Sequence, residues 1–288
     1  MKYDNTEYWQ KIHEKYKYSL KTVGHPHLSE ALNQLKYRSE TKSFQRILKR
    51  IHKTFSQIHK NDLSVLDVGT GTGYWSDVVH SFFVKEKYNL TLTALDISEE
   101  ALSDIKERNP FVTIIHEDLK TIPPKKLKQK FDLVICCYCL HHIINLHGFI
   151  NALNFAGECV KSDGFLIIMD PILTLPYSKY DVINNFPSYD GNGIPRHLYI
   201  IDDVLNEIGL SRQLIQPAVS FLLNDNIEGS NHLTYASRDI IWKVLSFLYK
   251  SDRVVTFISF LLLYMDSFLK NNRLAFSSSV CLYRKISN

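Results

Sequence analysis

Cysteine is scarce in this chain of 288 residues: five, at 136, 137, 139, 159 and 281. Few and clustered, they do not form the disulfide framework of a small secreted domain. Long apolar runs are lacking too. The most apolar stretch, Val254 to Met265, is twelve residues between Arg253 and Asp266, short of the roughly 20 that a bilayer-spanning helix needs. The opening Met-Lys-Tyr-Asp-Asn-Thr-Glu has no signal-peptide apolar core, and internal repeats and low-complexity tracts are absent. Together these absences point to a cytoplasmic protein. What is present is the composition of an ordinary globular chain, 45% hydrophobic and 22% charged, with enough residues for one domain with additions or two small ones. The net charge of +4 hides an asymmetry: residues 1–60 hold 13 Lys/Arg against 5 Asp/Glu, and the rest 21 against 25.

The chain is organised around Ser64 to Trp75, Ser-Val-Leu-Asp-Val-Gly-Thr-Gly-Thr-Gly-Tyr-Trp. An apolar strand pattern breaks into Gly69-x-Gly71-x-Gly73 and resumes with helical spacing at Trp75, Val78, Val79, Phe82 and Phe83. A strand entering a helix through a glycine turn offers free backbone N–H groups and a positive dipole end to a ligand. A dinucleotide site wants its third glycine at position 74, where this chain has Tyr74. An acid two residues before three alternating glycines, Asp67 here, is a different pattern. It resembles motif I of the class I S-adenosylmethionine-dependent methyltransferases of small-molecule type.

That resemblance implies a site residue by residue. Glycine-loop amides suit the carboxylate of the cofactor's methionine end and Asp67 its ammonium, with Gly69, Thr70, Gly71, Gly73 and Trp75 around them. The alternating strand Leu90 to Ile97 ends in an acid, and in nucleotide-binding α/β folds such an acid takes the ribose hydroxyls; Asp96, followed by Ile97, holds that position. Asp118 and Leu119, after the strand Val112 to His116, match the acid and apolar neighbour that contact adenine. Phe131 to Tyr138 running into Leu140-His141-His142-Ile143 resembles motif IV of the small-molecule enzymes, with Cys137 beside the cofactor. The nucleobase signatures Asp/Asn-Pro-Pro-Tyr/Phe and Pro-Cys are missing there. Lys161-x-x-Gly164 before the strand Phe165 to Asp170 is a further landmark, so the likeness covers about residues 61–172.

At the rim of strand four, His141 and His142 are the candidate general bases. An imidazole titrating near neutrality can take a proton from an attacking hydroxyl. Asp170 ends strand five on the same rim and would orient base or substrate. Tyr138, Arg196 and His197 are acceptor-side candidates. A zinc site from Cys136, Cys137, Cys139 and the two histidines is disfavoured, because alternate strand residues face opposite ways and no second ligand pair follows; no metal is expected.

Outside the core, Lys42 to His59 has helical apolar spacing with a basic solvent face, and residues 1–60 read as a helical lid or extension. Residues 173–288 supply a long loop at 176–198, a helix at Asp202 to Leu210, a sixth strand at Ser211 to Leu223, a helical insertion at about 224–275 and a last strand at Ser278 to Lys285 that forms the antiparallel edge of the sheet. The very apolar stretch 238–269 reads as a substrate cover or homodimer contact, with a membrane-surface helix as the alternative. The expected fold is α/β: a Rossmann-like seven-stranded sheet with helices on both faces. The expected function is methyl transfer from S-adenosyl-L-methionine to a small-molecule hydroxyl. The rivals are an RNA or protein acceptor met by the basic N-terminal segment, which would bind in a salt-sensitive way, and a cofactor-fold scaffold without transfer activity.

Overall fold

The computed structural model describes residues 5–17, 19–174, 193–224, 232–273 and 276–286. Seven strands form one sheet: β1 (Asp62–Val68), β2 (Asn89–Asp96), β3 (Thr113–His116), β4 (Phe131–Cys137), β5 (Val160–Asp170), β8 (Leu210–Ser220) and β9 (Phe276–Lys285). Their order is β3-β2-β1-β4-β5-β9-β8. The chain winds outward in one direction from β1 to β3, then returns to start β4 on the other side of β1. Ligands in open α/β sheets bind outside the carboxyl ends of the strands at that reversal.

β9 is antiparallel to both of its neighbours, β5 and β8. The last strand therefore has the expected direction but an interior place, and β8 forms the edge. A two-stranded parallel ladder joins β6 (Ile172–Leu173) to β7 (Arg196–His197).

Both sheet faces are covered, as the near-continuous apolar strands require. Along β4, Leu133, Ile135 and Cys137 join a core with Phe44, Ile47 and Ile51 of α2 (Glu30–Gln57) and Val79 and Phe83 of α3 (Tyr74–Lys85). Val134 and Cys136 face the other way, toward Phe149 and Leu153 of α5 (Leu146–Cys159) and Leu205 of α6 (Leu198–Glu207). The two adjacent cysteines thus lie on opposite faces. The remaining helices are α1 (Asn5–Tyr16), α4 (Glu99–Arg108), α7 (His232–Leu248) and α8 (Asp252–Asn271).

Helix α2 starts twelve residues before Lys42, at a cap where Ser29 Oγ accepts from Leu32 N. Its first half buries Asn33, Lys36, Ser39, Glu40 and Ser43 among the apolar residues, which hides the helical period in the sequence. The apolar insertion is two helices, divided at Ser251, whose side chain caps α8 by accepting from Val254 N. Their inner face closes a third core, with Tyr249, Val255 and Leu262 against Leu28, Leu32 and Leu35.

Helix α8 runs 20 residues with a mean hydropathy of 1.3 in its most apolar window, long and apolar enough to cross a bilayer. The run of twelve apolar residues thus sits in a longer helix than its own length implied. Polar bonds fasten that helix to the domain: Asp266 accepts from Ser39 Oγ and, at 2.7 Å, from Ser220 N. Buried Lys270 donates to Ser39 Oγ at 2.6 Å and to Ala218 O at 3.2 Å.

At the opposite end of the sheet from the carboxyl rim, Asp132 staples three segments. Its carboxylate accepts from Ser64 N (2.8 Å) and Ser64 Oγ (2.6 Å) and pairs with Lys60 (2.8 Å) and Lys161 (3.1 Å). That bond set gives the Phe-Asp-Leu-Val and Lys-x-x-Gly landmarks a structural purpose. Asp132→Ala is expected to cost about 2–3 kcal/mol of stability, read as a lowered melting temperature with unchanged cofactor affinity. A weakened affinity at unchanged stability would contradict this placement.

Candidate active site

The glycine turn is held against β2, with Gly69 N and Thr70 N donating to Leu95 O at 2.8 and 3.1 Å. Gly69 and Gly71 have φ of +68° and +53°, a left-handed conformation that other residues reach only under strain. A Cβ at Gly69 would collide with Cys139, and one at Gly71 would come within 2.9 Å of Val23. Gly73 caps α3 and packs on Ile105 and Arg108 instead of the cleft.

Asp67 lies beneath the turn and does not line the cleft. It accepts from Thr70 Oγ1 at 2.9 Å and Ser76 Oγ at 2.7 Å. Burial pushes its carboxyl up to about 6, against the pull of those two hydroxyls. It braces the turn from below. Asp96 does line the cleft, and its two oxygens accept from Gly71 N (2.8 Å) and Ser98 N (2.9 Å). One carboxylate thus ties the glycine turn to the end of β2.

The cleft encloses about 800 Å³ out to its mouth. Gly69, Thr70, Gly71, Trp75, Asp96, Ile97, Asp118, Leu119, Cys137, Tyr138 and His142 all line it. Trp9, one of the N-terminal aromatics, lines it from above, as do His13 and Val23, which were not picked out in the sequence. Trp9 meets the His142 ring edge-on at 4.8 Å. Tyr37, on α2, donates its hydroxyl to Val23 O at 2.9 Å and fixes the segment after α1 over the turn. The faint signal was an aromatic pair, Tyr8-Trp9, beside polar residues. His13 is buried, its Nδ1 has no hydrogen-bond partner among the described residues, and desolvation lowers its pKa.

A second, partly open cavity adjoins the first and shares Trp9, Val23, Tyr138 and His142 with it. His141, His25, His27, Lys36 and, from the insertion, Trp242 and Ser246 complete much of its wall. His141 Nδ1 lies 2.6 Å from Asp170 Oδ1, and its backbone N donates to Asp170 Oδ2 at 3.1 Å. Burial pushes the Asp170 carboxyl up to about 8.

Tyr138, at φ +56°, turns the chain at the end of β4. Its hydroxyl donates to Glu40 Oε1 at 2.6 Å and lies 2.6 Å from Ser278 Oγ. Lys36 pairs with the same Glu40 oxygen at 2.9 Å and sits 4.3 Å from the Tyr138 ring centre. Lys36 and Glu40 are buried site residues that sequence reasoning missed. Their signal was an i,i+4 charge pair interrupting the apolar face of a helix.

Arg196 and His197 line neither cavity. Arg196 donates to Ile143 O and Ile144 O, at 3.0 and 2.8 Å, bracing the turn after His142. His197 is buried and stacks on Tyr199. Of the expected binding loop, Tyr177, Tyr180, Pro187, Tyr189, Asp190 and Asn192 lie outside the described residues.

The parallel sheet with one inserted antiparallel strand, and a glycine cradle and acid at its switch point, define a class I methyltransferase fold. The family model "Methyltransferase domain" matches residues 37–203, and the chain belongs to that family, whose class I members use S-adenosylmethionine as methyl donor. A sequence relative, ribosomal protein L11 methyltransferase of Staphylococcus aureus strain JH1, is 39% identical over 107 residues, 34% of this chain and 31% of that protein. The match thus spans about a third of that relative's length. A solved structure, that of a candidate sarcosine dimethylglycine methyltransferase from Galdieria sulphuraria, is 15% identical and superposes with a TM-score of 0.51 over 85% of this chain and 86% of that one.

The donor set fits the family's cofactor. Loop amides at a helix start suit a carboxylate, Asp96 suits a diol, and Asp118 with Ile97 and Leu119 suits an amine on a flat ring. The orphaned His13 nitrogen, inside the same cleft, leaves one polar contact for a ligand to complete.

Proposed function

We propose that the protein transfers a methyl group from S-adenosylmethionine to a hydroxyl of a small molecule held in the second cavity. The cofactor, when bound, supplies an electrophilic methyl on a sulfonium. The observation that carries the proposal is His141, held by Asp170, in the wall of that cavity beside the walls shared with the cofactor cleft. Asp170 holds Nδ1 and so orients the ring, and the imidazole takes the acceptor's hydroxyl proton. In the roles proposed, Asp96 holds the ribose and Asp118 with Leu119 the adenine. Glycine-turn amides hold the carboxylate of the methionine end, with Asp67 supporting them from beneath. Trp9 and Val23 close over the two cavities and exclude water. His142, packed by Trp9, forms the wall between them.

The carboxyl that holds the imidazole is raised by burial to about 8, so the pair taken as a unit loses its proton only as pH rises. Transfer is therefore expected to increase from pH 6 to 9, with an apparent pKa of about 8. The test is label transfer from S-adenosylmethionine across a panel of small hydroxylated acceptors. His141→Gln and Asp170→Asn should each lower kcat by about 10²–10⁴ and leave cofactor affinity unchanged. A flat profile, or unchanged kcat in both variants, would remove His141 as the base.

The likeness to ribosomal protein L11 methyltransferase favours a second reading, a protein acceptor. Label appearing in ribosomal protein and in no small molecule would establish that reading instead. The second cavity, walled by Tyr8, Trp9 and Trp242, favours the small acceptor.

A further inference from the structure

Helices α7 and α8 are apolar on two sides. The inner side packs on α2 through Tyr249, Val255 and Leu262. The outer side carries Ile240, Val244 and Phe247 on α7, then Phe257, Phe260, Leu261, Tyr264 and Phe268 on α8, all exposed. Phe257 and Phe260 are 90% and 84% exposed. Spacings of three and four residues put the α8 group on one face. Scattered apolar residues are normal on a surface, but a face of this extent marks a contact site, and a helix apolar all round is ordinarily covered on every side.

We propose that the outer face of this hairpin docks on an anionic lipid surface. Charge selects that occupant. Arg253 lies one turn before Phe257 and Lys250 sits in the connection; both are exposed. The exposed acid among the described residues from Ile240 to Asn271 is Asp252, and its carboxylate accepts from Ala31 N at 2.8 Å, toward α2. Among the described residues, exposed Lys250 and Arg253 beside the apolar face complement anionic headgroups. Rings suited to the interfacial zone, with cationic stems alongside them, complete the pattern.

The hairpin lies on such a surface and does not span it, because Asp266 and Lys270 fasten α8 to α2 and β8 through buried bonds. Trp242 and Ser246 of the same hairpin line the second cavity, so docking sets that cavity beside the lipid. The docking surface stands independently of which acceptor the enzyme uses.

The test is flotation of the full chain with vesicles of phosphatidylcholine alone and with about one third phosphatidylglycerol. Wild type should float with the anionic vesicles, less so at high salt. Phe257→Ser/Phe260→Ser should weaken partitioning on the order of a hundredfold with an unchanged melting temperature, since both rings project into solvent. Arg253→Gln should reduce the preference for anionic vesicles. Wild type that stays unbound to both vesicle types overturns the proposal. So does a dimer that Phe257→Ser/Phe260→Ser dissociates while wild type ignores lipid.

Discussion

Asp96→Ala is expected to weaken S-adenosylhomocysteine binding by about 10²–10³-fold in a calorimetric titration. Two losses combine. The carboxylate accepts from Gly71 N and Ser98 N, and its removal leaves two N–H groups in a largely buried setting without their partner, at about 1–3 kcal/mol each where water cannot replace it. Gly71 holds a left-handed φ, so the turn loses its tie to β2 where the ligand must enter. A charged hydrogen bond to a ribose, worth about 1.5–3 kcal/mol, disappears as well. The turn's loosening is shared by free and bound protein, so the affinity change is less than the full sum. Asp96→Asn should fall between, since one oxygen still accepts. Wild-type affinity in Asp96→Ala would remove Asp96 from the site and with it the ribose assignment.

Glu40→Gln is expected to destabilise the fold by about 3–5 kcal/mol, because it leaves the buried Lys36 ammonium without a counter-charge. For a chain of this size that lowers the melting temperature by on the order of 10 °C. Burial pushes the Glu40 carboxyl up, while Lys36 and the Tyr138 hydroxyl pull it down. A carboxyl raised on folding favours the folded state below its unfolded value, and that gain fades as pH rises through the folded one. The contribution from Glu40 itself therefore declines upward from the ordinary carboxylate range. Lys36→Met/Glu40→Leu should recover most of the lost stability, since an apolar pair of similar volume replaces a buried ion pair at little cost. The double variant also removes the acceptor for the Tyr138 hydroxyl, so acceptor turnover should fall even where stability returns. A Glu40→Gln variant as stable as wild type would mean that the pair is solvated and the cluster is not a buried unit.

The parts of this molecule legible in the sequence are those where local chemistry and global fold agree. The strand, glycine turn and helix from Ser64 onward carry their conformation in their residue types, and all but Asp67 and Gly73 of the expected cofactor residues line one cleft. Acids ending β2 and following β3 were readable because open sheets bind ligands at that rim. Asp67 was legible as a motif member, and its bonds to Thr70 and Ser76 add a brace that the spacing alone does not show. What was illegible depended on distant packing. Lys36 and Glu40 went unremarked because their cluster is completed only by Tyr138 from the end of β4, which Ser278 of β9 meets in turn. The lid was an expectation for the N-terminal segment as a whole, and nothing local in His13 says that it faces a cleft whose floor lies far away in sequence. Arg196 and His197 carried the right chemistry for an acceptor site, yet backbone carbonyls and Tyr199 occupy them.

Amide hydrogen exchange with and without saturating S-adenosylhomocysteine tests the central claim most directly. The account predicts slowed exchange in three places at once: the turn at Gly69 to Gly73, the β2 end at Asp96 to Ser98, and the covering segment from Trp9 to Val23. Exchange unchanged in all three at saturating ligand would contradict the cleft as the cofactor site. Protection of the turn with an unaltered covering segment would leave the cofactor assignment standing and remove the lid.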